Sequence, residues 1–232
     1  MDKSAVRAWV LGLAVAVAGA GSAHAEAVAD EGQLKEGQQA LMFQSKVINW
    51  EAASTKVVDM AALTNGSKKA VILSFFATYC EPCKKELPFL GRMYEKYKDQ
   101  GLSVVVVSID QKQEDIQKAG DLAKEHNLLY PVASDRFNIV AKRYGVKRLP
   151  CLYILDGAGK VSMVNTGYSE EFSGQLLANI QTRLGVALDP AAVPHEGPKA
   201  EPAPEKAAPP ADPVPVQDSK DVKKVKGKRK GK

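Results

Sequence analysis

Val71-Ile72-Leu73-Ser74-Phe75-Phe76 and Leu102-Ser103-Val104-Val105-Val106-Val107 are short, nearly continuous apolar runs rich in β-branched residues. Such runs predict strands buried on both faces, in a sheet covered by helices. Between them, Lys84 to Lys98 carries Leu87, Leu90, Met93, Tyr94 and Tyr97 at helical spacing, and Gly101 follows as a stop. A strand–helix–strand unit of this kind closes as a right-handed crossover with parallel strands. The chain is thereby committed to an α/β sheet.

The second half reads differently. Gln113 to His126 and Phe137 to Tyr144 look helical, each followed by a break. Cys151 to Leu155, the turn Asp156-Gly157-Ala158-Gly159-Lys160, and Val161 to Val164 read as a hairpin. Glu170 to Leu184 makes a last amphipathic helix, and Lys46 to Asn49 with Lys56 to Val58 predict a small N-terminal β-hairpin extension. The expected fold class is α/β, with a central mixed sheet flanked by helices.

Two cysteines, Cys80 and Cys83, stand where the first strand gives way to the helix. A thiol at a helix N-terminus meets unpaired N–H groups and the positive end of the helix dipole, and both favour thiolate. Cys80 is the candidate nucleophile, and Cys83, one turn on, can close a disulfide back onto it. Pro82 falls in the first helical turn, where its missing N–H is harmless. A bridge across two intervening residues stabilises little, so a reactive pair is a better reading than a staple.

The ends of the chain differ from its middle. Residues 1–25 read as a secretion signal, with Lys3 and Arg7, an uncharged run from Ala8 to Ala20, and Ala23-His24-Ala25 as a cleavage site. The alternative is an uncleaved anchor, but the uncharged stretch is shorter than the ~20 residues a span requires. A lead at 26–37 would precede a domain at 38–187. Residues 188–218 read as a disordered linker, since nine of the chain's 13 prolines fall between Pro190 and Pro215. A basic tail at 219–232 follows, with eight cations against one carboxylate from Lys220 on. The whole chain is +5, so what precedes Lys220 carries a net −2 and the basicity belongs to the tail. Export makes an anionic envelope surface a candidate tail partner, the other reading being a solvated tail, and makes nucleic acid the least expected partner.

The run Phe75-Phe76-Ala77-Thr78-Tyr79-Cys80-Glu81-Pro82-Cys83-Lys84-Lys85-Glu86-Leu87-Pro88, with Tyr144-Gly145-Val146-Lys147-Arg148-Leu149-Pro150 and Asp156-Gly157-Ala158-Gly159-Lys160, resembles the exported TlpA/ResA-like thiol–disulfide oxidoreductases. These belong to the thioredoxin superfamily and carry an AhpC/TSA-redoxin-like domain. The resemblance covers Leu41 to Leu184 and implies a thioredoxin-like fold. It also implies Pro150 as a cis-proline offering an extended edge to substrate, Glu86 as proton acceptor, and a kink at Pro88. Thioredoxin's buried Asp, six residues before the first cysteine, is Ser74 here.

The resemblance implies a protein-disulfide reductase of the cytochrome c maturation or metallochaperone type. Its location would be the periplasm or the outer face of the cytoplasmic membrane. It would act on protein thiols and disulfides, be recharged by a membrane thiol donor of the transporter type, and use no cofactor. The residue after the proline, usually Thr in the superfamily, is Cys151. It is either a small core residue or a neighbour of the pair that tunes it, even a third thiolate with Cys80 and Cys83 for Cu(I). That copper site would make a thiol chaperone the alternative function. A disulfide oxidase or isomerase is the other alternative, since it uses the same residues. Glu81, beside Cys80, would raise the thiol's pKa and favour a reducing couple. A peroxidase motif is absent, because Leu73 and Ala77 occupy the positions that need Pro and Thr or Ser.

Overall fold

The computed structural model describes residues 32–193. The signal at 1–25, most of the linker and the basic tail lie outside the described residues. The crossover expected from the sequence is present: β3 (Ala70–Phe76), α3 (Glu81–Tyr97) and β4 (Leu102–Ser108) follow one another, with β3 and β4 parallel. Every residue of both strands is buried, which is why neither run alternates with polar residues.

The hairpin β6 (Cys151–Asp156) and β7 (Val161–Thr166) adds antiparallel to β3, and α6 (Glu170–Leu184) closes the unit. With β5 (Val132–Ser134) at one edge, the sheet order is β5-β4-β3-β6-β7, a mixed sheet with β3 at its centre. One face packs Ile72, Phe76, Val104 and Leu152 against α3, α6 and the small residues Ala119 and Ala123 of α4 (Gln113–Glu125). The other face packs Val71, Leu73, Phe75 and Tyr153 under α5 (Ile139–Arg143) and the N-terminal segment.

Several expectations are corrected. The N-terminal β-hairpin pairs β1 (Gln44–Lys46) with β2 (Val57–Asp59), two residues earlier in its first strand than expected. A short helix, α1 (Trp50–Ala53), fills its connection, and α2 (Met60–Leu63) follows under the Asp59 cap. Strand β5 (Val132–Ser134) has three residues, too few for a periodic signal. Tertiary hydrogen bonds define it: Asn49 Oδ1 accepts from Val132 N–H at 2.8 Å, and Asn49 Nδ2 donates to the carbonyls of Leu128 and Tyr130.

Phe137 does not begin a helix. Asn138 is left-handed, at φ 54°, and α5 starts only at Ile139, where Asp135 accepts the N–H groups of Ile139 and Ala141. Beyond 187 the chain is still packed: Asp189 exchanges two hydrogen bonds with the Gln181 side chain, and Val193 is buried. Leu34, within the 26–37 lead, is buried as well.

Candidate active site

At the carboxyl end of β3 the chain turns through Ala77-Thr78-Tyr79 into Cys80, the N-cap of α3. Cys80 and Cys83 form a disulfide with their Cα atoms 5.3 Å apart. Cys80 is 8% exposed and Cys83 is fully buried, so only one of the two sulfurs can be reached from solvent. Cys80 Sγ also accepts from the Cys83 N–H at 3.3 Å, one of the orphan donors of the helix start. Pro82 sits in the first turn of α3, as expected, and Pro88 lies inside the same helix.

Asp110, just past β4, holds the turn before Cys80. Its carboxylate accepts from Thr78 N–H (3.1 and 3.2 Å), Thr78 Oγ1 (2.9 Å) and Ser108 Oγ (2.8 Å). The sequence reading passed over it. The available signal was an acidic residue directly after a parallel strand, at the sheet edge where α/β proteins place their sites.

Glu86 lies three residues past Cys83 on α3 and is 1% exposed. Its Oε2 accepts from Ser74 Oγ at 2.6 Å, while Oε1 is buried without a partner. Burial pushes the carboxyl up to about 7, against the opposing pull of the Ser74 hydrogen bond. A carboxyl that exchanges its proton near neutrality, one helical turn from a buried sulfur, has the properties of an internal proton acceptor. Tyr130, whose hydroxyl donates to the Leu87 carbonyl at 3.0 Å, is raised by burial and then by the nearby Glu86 charge.

The Glu81 side chain is 76% exposed and pairs with Lys84 Nζ at 2.6 Å. A carboxylate in water and next to an ammonium is screened, which weakens its pull on the buried side of Cys80.

The Leu149–Pro150 bond is cis. Cys151 pairs with Phe75, which puts Pro150 alongside Phe76, where the Cys80 turn leaves the sheet. The Pro150 carbonyl already accepts from Gly167 N–H at 2.8 Å, and Cys151 is flanked by strands on both sides. Any extended edge for a partner therefore lies in Lys147 to Leu149. Gly145, at φ +67°, opens this segment with the backbone of Gln33 against it, where a Cβ would come within 2.4 Å of the Gln33 nitrogen.

Cys151 belongs to the opposite face of the sheet. Side chains alternate along a strand, so Cys151 points with Phe75 and Tyr153 toward Tyr144, while Cys80 and Cys83 pack with Phe76 and Leu152. Its thiol accepts from Gln33 Nε2 at 3.3 Å, and burial pushes it up and keeps it protonated. The three-thiolate copper site is thereby corrected: the sheet separates the third sulfur from the pair. Among the described residues no three His, Cys, Asp or Glu side chains are gathered to hold a metal ion.

A mixed five-stranded sheet, with a disulfide at the start of the helix after its central strand and a cis-proline beside it, defines the thioredoxin-like class. The model of the AhpC/TSA family matches residues 37–164, and the chain belongs to that family. It is 33% identical over 118 residues to the thiol-disulfide oxidoreductase ResA of Bacillus thuringiensis subsp. konkukian, covering 49% of this chain and 66% of that one, just under two thirds of the relative's length. With the protein of the same name from Bacillus anthracis it shares 28% identity over 150 residues, 64% of this chain and 80% of the other. Among solved structures, one assigned as a thiol:disulfide interchange protein DsbE from Chlorobium tepidum superposes with a TM-score of 0.57 at 29% identity, covering 66% of this chain and all of that one. No helix among the described residues is long and apolar enough to cross a membrane.

Proposed function

We propose that the chain is an exported thiol–disulfide oxidoreductase that reduces protein disulfides. The observation that carries the reading is the pair itself: a reachable Cys80 at a helix N-terminus, a buried Cys83, and a buried carboxyl one turn further on.

In the reduced protein the Cys80 thiolate attacks one sulfur of the substrate disulfide. A mixed disulfide forms and the substrate's other sulfur leaves as thiolate. Cys83 then loses its proton to Glu86 and attacks Cys80 Sγ, closing the Cys80–Cys83 bond and releasing the second substrate thiolate. Two electrons pass to the substrate, and its thiolates take up protons from solvent. A dithiol donor must supply two electrons to reopen the pair. A membrane thiol transporter is the donor implied by the family resemblance, and the signal at 1–25 supports its meeting this chain outside the cytosol.

The reducing direction is supported by Glu86 rather than Glu81. Negative charge added to a buried site that already holds a carboxyl is disfavoured, so the reduced pair gains little from ionising. No histidine lies between the cysteines to offset that charge. Protein disulfides of the cytochrome c maturation or metallochaperone type are the proposed substrates. The basic tail is proposed to rest on anionic envelope surface.

The test is the reduction potential of the Cys80–Cys83 pair, by equilibration with a thiol buffer. A value near or below about −270 mV is expected, and one near about −120 mV would make the protein an oxidant.

A further inference from the structure

Strands β3, β4 and β5 are parallel, so the loops that leave their carboxyl ends lie side by side. Polar side chains tie each loop to the next. Asp110, after β4, holds Thr78 ahead of Cys80. Asn138, after β5, has one amide orientation that satisfies both its ends. In it the nitrogen donates to the carbonyls of Ile109 (3.0 Å) and Asp135 (3.2 Å), and the oxygen accepts from Gln111 Nε2 (2.7 Å). The Asp135–Asn138 loop is thus fixed two strand spacings from the Cys80 turn, roughly 10 Å across the sheet.

A groove of about 750 Å³ opens beside that loop, walled by β1, the start of α4, the loop itself and α5. Its lining joins the apolar side chains Ile116, Phe137 and Ile139 to the cations Lys46, Arg136 and Arg143. Phe137 is 78% and Ile139 57% exposed, an unusual outlay of apolar surface for a loop that a polar residue could fill. The acids nearby are engaged. Asp135 spends both carboxylate oxygens on the N–H groups of Ile139 and Ala141, and Asp115 pairs with Lys118 at 2.8 Å. The groove therefore presents three cations against the single Asp135 carboxylate around an apolar floor, a net positive lining, although the chain before its tail carries net negative charge.

We infer that this groove receives the segment flanking the reactive cysteine of the protein substrate, a stretch that carries apolar side chains interspersed with carboxylates. The inference rests on the thiol-exchange reading and names its substrate class. Phe137 and Ile139 take the apolar side chains, and Lys46, Arg136 and Arg143 take the carboxylates. The tied loops hold the bound segment at a fixed offset from Cys80, so docking raises the local concentration of the substrate disulfide there.

The experiment uses the reduced full chain and three disulfides: a peptide disulfide flanked by Glu/Leu/Phe, its isomer with Lys for Glu, and neutral hydroxyethyl disulfide. The acidic peptide is expected to exchange about tenfold faster than the basic one at low salt, with the gap closing near 0.5 M salt. The paired charge reversals Lys46→Glu and Arg136→Glu, both at solvent-facing positions, are expected to invert the preference. Phe137→Ala is expected to slow both peptides relative to hydroxyethyl disulfide. Equal rates for the two peptides, with hydroxyethyl disulfide still exchanged, overturn the groove and leave the thiol-exchange reading standing. Failure of all three disulfides to exchange overturns that reading and the groove with it.

Discussion

Ser74 Oγ donates a 2.6 Å hydrogen bond to Glu86 Oε2 across the contact between β3 and α3, in a place water does not reach. The strand contributes the hydroxyl, and the helix that carries both cysteines contributes the acid.

Glu86 makes the fold pH-sensitive. Its carboxyl is raised from 4.5 to about 7, so between those values the native protein holds a proton that the unfolded chain releases. Stability is full below about 4.5, falls as pH rises through the window, and levels off above about 7. Glu86→Gln removes this slope and stabilises the protein at pH values above the window, by up to about 3 kcal/mol. Urea midpoints across the window check it: a wild-type and variant difference that does not change with pH would sink the assignment. Exchange by the variant near neutral pH should be slower by about a hundredfold, for want of the proton acceptor.

Asp110 is a positioning residue. Asp110→Asn keeps the shape but replaces an acceptor oxygen with a donor, leaving a Thr78 or Ser108 donor without its partner. The expected loss is about 1–3 kcal/mol of stability. Freed of its anchor, the turn before Cys80 no longer holds the thiol at the helix start. Alkylation of Cys80 as a function of pH should then titrate closer to an ordinary thiol, an effect that destabilisation alone does not produce.

Cys151→Ser tests the separation of the third sulfur from the pair. The sheet lies between them, so the potential of Cys80–Cys83 should be unchanged while stability falls by about 1 kcal/mol, as a more strongly hydrated hydroxyl replaces a buried thiol. A potential that moves with this substitution would return Cys151 to the redox site.

What could be read beforehand was whatever leaves a local imprint. The apolar runs at Val71 and Leu102 come from burial on both faces, the spacing from Leu87 to Tyr97 from one helix face, and the final helix at Glu170–Leu184 from its own amphipathic pattern. Three-residue β5 leaves no such imprint, and α5 starts at Ile139 rather than Phe137 because the left-handed Asn138 and the Asp135 carboxylate, not hydrophobic spacing, set its first turn.

The crossover, the two cysteines at a helix start, and Glu86 one turn on are legible in the chain, because each depends on residues within a few turns of one another. Only the tertiary fold places Cys151 across the sheet from the pair and lets Asp110 and Asn138 lock the loops beside Cys80. Those outcomes follow from strand register. A shift of one residue turns every side chain of a strand to the other face, and no local pattern around Cys151 or Asp110 records which register was taken.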